Sequence, residues 1–265
     1  MRLQVLLSAM FLKDESYIDT LNITTDAVVI NQCDSESARS VKRHGISGGE
    51  QTVTYVETTE RGLSRSRNMA IDKADADICI LCDNDVEYLP DYESRIMDGF
   101  EKHPDADLIV FYIERKEKPR PNYAASKRMG YLSVLKIFSP EVAFKRESIR
   151  GIDFDVRFGA GSGRYLMGEE NIFLYDCLKR GLKIYYEPVK IAKLREEKST
   201  WFSGYDDSFF ISRGAGYCAM SRFGSLILIL QFAIRKRFLY SENMSAGRAL
   251  SYMFKGRREY LRDVR

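Results

Sequence analysis

Four short apolar runs recur in the first third of the chain, at residues 3–9, 27–32, 52–56 and 78–82, each separated from the next by polar or helix-forming sequence. Parallel strands can be joined only by crossovers long enough to return to the starting edge, so this rhythm predicts an α/β fold with a mostly parallel central sheet flanked by helices. Residues 64–73 have helix-forming composition and supply one crossover, with Ser64 as the expected cap. Further helices are expected at 91–102 and 169–179, the second closed by Gly181 where a C-cap glycine belongs. Further strands are expected at 107–113, 142–145 and 183–186, and the charged segment 114–128 reads as a mobile loop.

Hydrophobic residues make up 45% and charged residues 30% of the 265 positions, the balance of a chain that buries a core. That length suits one substantial α/β domain with an appendage. The formal charge of +3 is unevenly spread: residues 213–265 carry 11 Lys/Arg against 3 Asp/Glu, and the preceding 212 residues are net acidic. No helix-turn-helix, zinc-finger or RNA-binding signature accompanies the basic tail, so nucleic acid is not an expected partner and an anionic membrane surface is. Within the tail, residues 223–234 form an apolar run interrupted by Gln231. The run is too short to cross a bilayer as a helix. It suits the membrane interface, with Arg235, Lys236 and Arg237 against head groups, or else packing on the protein or on a second copy.

The five cysteines, Cys33, Cys79, Cys82, Cys177 and Cys218, are odd in number and scattered, which argues for a reducing compartment. The opening residues alternate into a strand instead of forming a signal peptide, so the expectation is a cytoplasmic protein, peripheral at the inner face of the cell membrane. Cys79 and Cys82 have metal-clip spacing, but in a strand residues three apart point to opposite faces. His44 and His103 lie in no motif, and histidine-based triads are not expected.

The fourth run ends in Asp83-Asn84-Asp85. The carboxyl end of a parallel strand is where ligands bind, and two carboxylates there repel unless a cation lies nearby. Hard divalent ions prefer carboxylate and phosphate oxygens, so a metal-bound diphosphate is the expected occupant; a simple turn is the alternative. Dinucleotide binding is the rival reading, weakened because no glycine follows the first strand between Ser8 and Asp14. The second feature is the glycine-rich segment 158–163, followed by Gly168-Glu169-Glu170. Acids in the first turn of a helix compete with phosphate for its positive end. The segment therefore reads as a flexible sugar-side loop, with dipole compensation as the alternative for the glutamates.

Taken in order, Asp34 after the second strand, Gly62-Leu-Ser-Arg-Ser-Arg67-Asn68 on the crossover helix, Asp83-Asn84-Asp85 and Gly168-Glu169-Glu170 resemble glycosyltransferase family 2, over residues 1–212. The resemblance implies the GT-A nucleotide-diphospho-sugar transferase fold, with a nucleotide-sugar-binding half at 1–90, an acceptor-binding and catalytic half at 91–212, and a basic helical extension at 213–265. It implies inverting transfer from a nucleotide-diphosphate sugar, most often a uridine one, to a saccharide or lipid-linked saccharide acceptor of surface-polysaccharide synthesis. Ser8, Asp34, Arg67, Asp83 and Asn84 would bind the nucleotide sugar, with Asp34 at the base or ribose and Asp83 on the ribose side. Asp85 would hold a divalent cation, Mn²⁺ or Mg²⁺. Glu170 would be the general base and Glu169 would hold acceptor hydroxyls. For Arg67 a structural ion pair is the alternative role.

One departure from the family stands out: the histidine that often follows the strand near residue 186 is absent from residues 188–194, leaving water, donor phosphates or the charge of Lys193 to compensate. Trp201 and Phe202 are candidates for stacking on a sugar or for the core. Two other classes remain open on sequence. A sugar-phosphate nucleotidyltransferase would bring a glycine-rich basic loop after its first strand, and a catalytically silent subunit would lack a competent base.

Overall fold

All four apolar runs become strands, and the polar sequence between the second and third adds one more. The computed structural model describes residues 1–46, 48–116, 118–195 and 204–263. In chain order its elements begin with β1 (Leu3–Met10), α1 (Tyr17–Thr20), β2 (Asp26–Gln32), β3 (Ser37–His44), β4 (Glu50–Thr58), α2 (Leu63–Lys73) and β5 (Ile78–Asp83). They continue with β6 (Val86–Tyr88), α3 (Tyr92–Lys102), β7 (Leu108–Glu114), β8 (Lys127–Arg128), β9 (Val142–Lys145), α4 (Glu169–Lys179) and β10 (Ile184–Leu194). Four helices close the chain: α5 (Asp207–Met220), α6 (Gly224–Arg235), α7 (Arg237–Tyr240) and α8 (Ala246–Asp263).

The strands form one sheet in the order β3-β4-β2-β1-β5-β9-β7-β10-β6, with β8 also on β10. The four strands read from the apolar runs are mutually parallel, β4-β2-β1-β5. The sheet as a whole is mixed, because β3, β9, β6 and β8 all pair antiparallel. The reason is local at β3: a tight turn, with Gly45 N–H donating to the Gly49 carbonyl at 2.9 Å, joins it to β4, and a short connection permits only an antiparallel neighbour. β1 and β2 are buried almost throughout, the mark of strands covered on both faces. Tyr88, Tyr92, Ile96 and Phe100 pack onto the same apolar core as β1 and β5.

Two local expectations change. Ser64 lies inside α2 and does not cap it; its hydroxyl donates to the Phe158 carbonyl at 2.7 Å. Segment 114–128 is tied down at several points: Asn122 N–H donates to the Tyr186 hydroxyl at 2.9 Å, Lys118 pairs with buried Glu141 at 3.1 Å, and β8 joins the sheet. Gly181 follows α4 as expected, its N–H donating to the Leu178 carbonyl at 3.0 Å.

The chain divides into two compact units. One consists of Met1–Arg61, Arg65–Asp153 and Cys177–Glu197; the other of Gly62–Ser64, Phe154–Asp176 and Lys198–Arg265. The first contains the sheet. In the second, α5 starts before residue 213, capped by the Asp206 carboxylate accepting from Phe209 N–H at 2.8 Å. α5 and α8 cross at glycines: a Cβ on Gly214 would lie 1.9 Å from the Met253 carbonyl oxygen, and one on Gly256 would lie 1.9 Å from that of Ile211. Only hydrogen fits there. Among the described residues no helix is long and apolar enough to cross a membrane.

Candidate active site

Parallel pairing sets the carboxyl ends of β1, β2, β4 and β5 along one edge, and register places Ser8 opposite Asp83 on the neighbouring strand. Both are then fixed from α2. Ser66 Oγ donates to Ser8 Oγ at 2.9 Å. Arg67, only 1% exposed, reaches the Asp83 carboxylate at 3.1 Å and Ser139 Oγ at 2.6 Å. A guanidinium taken out of water needs a counter-charge, which Asp83 supplies, and the same terminal nitrogen also donates to Ser139. Of the two roles weighed for Arg67, the structure contains the ion pair. The same bond neutralises one of the two acids at the strand end.

The turn that follows is held by its backbone. The Tyr17 hydroxyl donates to the Asn84 carbonyl at 2.8 Å, and Arg195 N–H donates to the Asp85 carbonyl at 2.8 Å. The Asp85 side chain is half-buried. Lys193, weighed as a phosphate partner, is ion-paired with Glu87 at 3.0 Å, and that lysine holds the Glu87 carboxyl below its usual range. No histidine lies on β10; His103 pairs with Glu187 instead. Among the described residues no group of three or more His, Cys, Asp or Glu side chains converges as a metal cage. The Cys79 and Cys82 thiols are buried, and desolvation pushes that of Cys79 up to about 12, which disfavours the thiolate a metal would need.

At the end of β2 the structure adds two residues that the sequence reading missed. Asp34 is exposed and pairs with Arg61 at 2.7 Å, and the Arg61 guanidinium sits 5.4 Å from the centre of the Phe11 ring. Phe11 is 53% exposed and has φ of 51°, unusual for a residue with a side chain. The Asn31 side chain pins the loop beyond it, accepting from Leu12 N–H at 2.9 Å. An aromatic ring, a guanidinium and a carboxylate thus lie together, the ring just past β1, the strand that carries Ser8. A phenylalanine just past a strand was the only signal in the sequence, and composition gave no reason to single it out.

In the other unit, the glycine-rich segment is not slack. Leu63 N–H donates to the Ala160 carbonyl at 2.9 Å, Gly159 N–H to Tyr165 at 3.0 Å, and Ser162 Oγ to the Tyr165 carbonyl at 2.9 Å. The Phe158 and Tyr165 rings stack at 4.7 Å. These bonds, one of them to distant Leu63, hold a loop that sequence composition alone reads as flexible. Glu169 lies beneath it, 6% exposed, with its carboxyl carbon 3.1 Å from where a Cβ on Gly159 would stand. Glu170, next on α4, is half-buried. Gly161, Ser162, Arg164, Leu166, Ser208 and Ser212 line a cleft of about 300 Å³ in this unit. Trp201 and Phe202 lie outside the described residues.

The family model for glycosyl transferase family 2 matches residues 24–164, more than half of the chain. The chain belongs to that family. As a glycosyltransferase it has structural neighbours whose likeness extends well beyond the matched region. S. aureus TarS in complex with UDP-GlcNAc is 12% identical, with 92% of this chain and 76% of that one covered and a TM-score of 0.63. TarS in complex with UDP is 10% identical over 97% and 81%, with a TM-score of 0.60. The mannosyltransferase PcManGT from Pyrobaculum calidifontis, in complex with GDP-Man and Mn²⁺, is 15% identical over 96% and 73%, with a TM-score of 0.53. At these identities the likeness is one of fold, the α/β GT-A architecture with its mixed central sheet. Comparison with curated protein sequences gives no match.

Proposed function

We propose that this glycosyltransferase is an inverting enzyme that moves a sugar from a nucleoside-diphosphate sugar, a UDP-sugar in the first instance, to a hydroxyl of a saccharide or lipid-linked saccharide in cytoplasmic polysaccharide synthesis. The observation that carries the reading is the strand edge where Ser8 and Asp83 stand in register, with Asp83 neutralised by buried Arg67 and Asp85 following at the turn. A neutralised Asp83 can accept hydrogen bonds from ribose hydroxyls without repelling the diphosphate beside it. Asp34, Arg61 and Phe11 offer the base an aromatic face and polar edges. The complexes of TarS with UDP-GlcNAc and of PcManGT with GDP-Man support this class of donor.

Asp85 would hold a divalent cation. Mg²⁺ and Mn²⁺ in phosphate-handling sites take one or two carboxylates and complete their shell with phosphates and water, so a single hard oxygen ligand fits and a full protein cage is not required. When bound, such an ion offsets the charge that builds on the departing diphosphate. Glu170 would accept the proton of the acceptor hydroxyl as that oxygen forms its bond to the anomeric carbon. The bond from that carbon to the diphosphate breaks with its electron pair leaving on phosphate, and one displacement inverts the centre. Glu169 would serve acceptor hydroxyls through the positioning of its neighbour.

The test combines product analysis with calorimetry on the purified protein. UDP should bind far more tightly with Mn²⁺ than without, and Asp85→Ala should erase that difference. Turnover should release nucleoside diphosphate and a glycoside of inverted configuration by NMR. Pyrophosphate exchange in place of nucleoside diphosphate, or equal UDP affinity with and without metal, would overturn the reading.

A further inference from the structure

The helix α6 divides sharply along its length. Leu228, Ile229, Phe232 and Ala233 are buried and pack the helix against its own unit. The opposite side is as apolar and faces outward: Phe223 is 80% exposed, Ile227 and Ile234 72% each, and Leu230 47%. At 3.6 residues per turn these four positions fall within about 60° of one another, a single stripe. Phe238, on the following α7, is also 71% exposed. Because the inner side alone holds the helix in place, the fold does not account for the outer one.

The surroundings of the stripe identify what would cover it. Exposed Arg222 stands at one end and exposed Arg235, Lys236 and Arg237 at the other, and no Asp or Glu occurs from residue 208 to residue 241. A second copy docked on the same patch by a two-fold axis would bring these cations against one another. A bilayer rich in acidic lipid offers the complement on both counts, acyl chains for the apolar stripe and phosphate for the flanking cations. We propose that the outer face of α6 and α7 is a monolayer-docking surface selective for anionic phospholipid, with Phe223, Ile227, Leu230, Ile234 and Phe238 entering the interface and Arg222, Arg235, Lys236 and Arg237 meeting head groups.

The proposal is independent of the sugar-transfer reading, and its test is read without turnover. Full-length protein is sedimented with phosphatidylcholine vesicles, with and without phosphatidylglycerol, across a salt series, and its mass in solution is measured by light scattering. The expected result is binding only to the anionic vesicles, weakened by salt. The double variant Ile227→Glu, Ile234→Glu should lower the vesicle partition about tenfold or more. Replacing residues 235–237 with glutamine should lower it on the order of 100-fold at low salt. Thermal melting and UDP affinity of both variants should stay at wild-type values, which separates a lost surface from a lost fold. Equal partition of wild type and both variants would overturn the assignment. So would a wild-type dimer that the double variant dissociates while vesicle binding is absent, which would make the face an interface between copies.

Discussion

The edge of the parallel strands and the start of α4 beneath the glycine-rich loop both carry acidic side chains, but their surroundings are built in opposite ways. At the strand edge, regular pairing fixes the backbone first: Ser8 faces Asp83 because β1 and β5 are in register, and one buried ion pair then sets the carboxylate. In the loop, no repeating pattern fixes the backbone. The loop that covers Glu169 depends on bonds between residues far apart in sequence, such as Ser64 to Phe158 and Leu63 to Ala160. Periodic structure can be read from local sequence, whereas a loop held by distant partners cannot.

The largest effect that could break this contrast is expected in the loop unit. Glu170→Gln should keep donor affinity and lower kcat by about 10² to 10⁴, the usual contribution of a general base. Glu169→Gln, at a buried carboxylate, should act on stability and on acceptor KM more than on kcat. Steady-state kinetics at saturating donor and acceptor decides the matter. Near wild-type turnover in Glu170→Gln with a collapse in Glu169→Gln would exchange their roles and make the buried glutamate the base.

Next in size is the ion pair of the strand edge. Arg67→Met leaves Asp83 beside an apolar side chain and Ser139 without its donor, a loss expected to cost about 3 kcal/mol, since breaking a buried pair from one side exposes the cost of burying the other charge. Chemical denaturation measures it. Adding Asp83→Asn to Arg67→Met should recover part of the loss, because the uncompensated charge goes with it. If Arg67→Met alone is as stable as wild type, the pair does not hold the edge, and Arg67 is better regarded as a donor-facing residue.

How much of this could be read in the sequence follows the same division. The parallel strands, the crossover α2, α4 and the place of Asp83 and Asp85 at the end of β5 were all legible, because apolar runs and their spacing report periodic structure directly. β3 was missed: its residues are mostly exposed, and an edge strand with one wet face carries little apolar signal. The short β6 and β8 gave none. The pairing of Lys193 with Glu87 was also out of reach, since β10 and β6 come together only through the topology of the sheet. The buried state of Glu169 was hidden for a related reason. A glutamate pair opening a helix looks like dipole compensation until the loop above it is in place.

The smallest expected effect lies at Phe11, where the periodic strand gives way to a loop at the proposed donor side. Its exposed ring is flanked by Arg61, which is paired in turn with Asp34. Stacking of a base on an aromatic face contributes about 1 to 3 kcal/mol by truncation to alanine, and replacement by another apolar side chain should cost the lower end of that range. Phe11→Leu keeps apolar bulk and the strained backbone while removing the π face, so UDP should bind about fivefold more weakly with kcat unchanged, as befits contact made equally in ground and transition states. Arg61→Ala frees one face of the ring and also releases Asp34. If Arg61 helps hold the base, affinity falls again and the two substitutions couple in a double-mutant cycle; if it merely covers the ring, affinity rises and the coupling changes sign. An unchanged UDP affinity in Phe11→Leu, measured by calorimetry with Mn²⁺ present, would remove the ring from the donor site and leave the base to the strand edge alone.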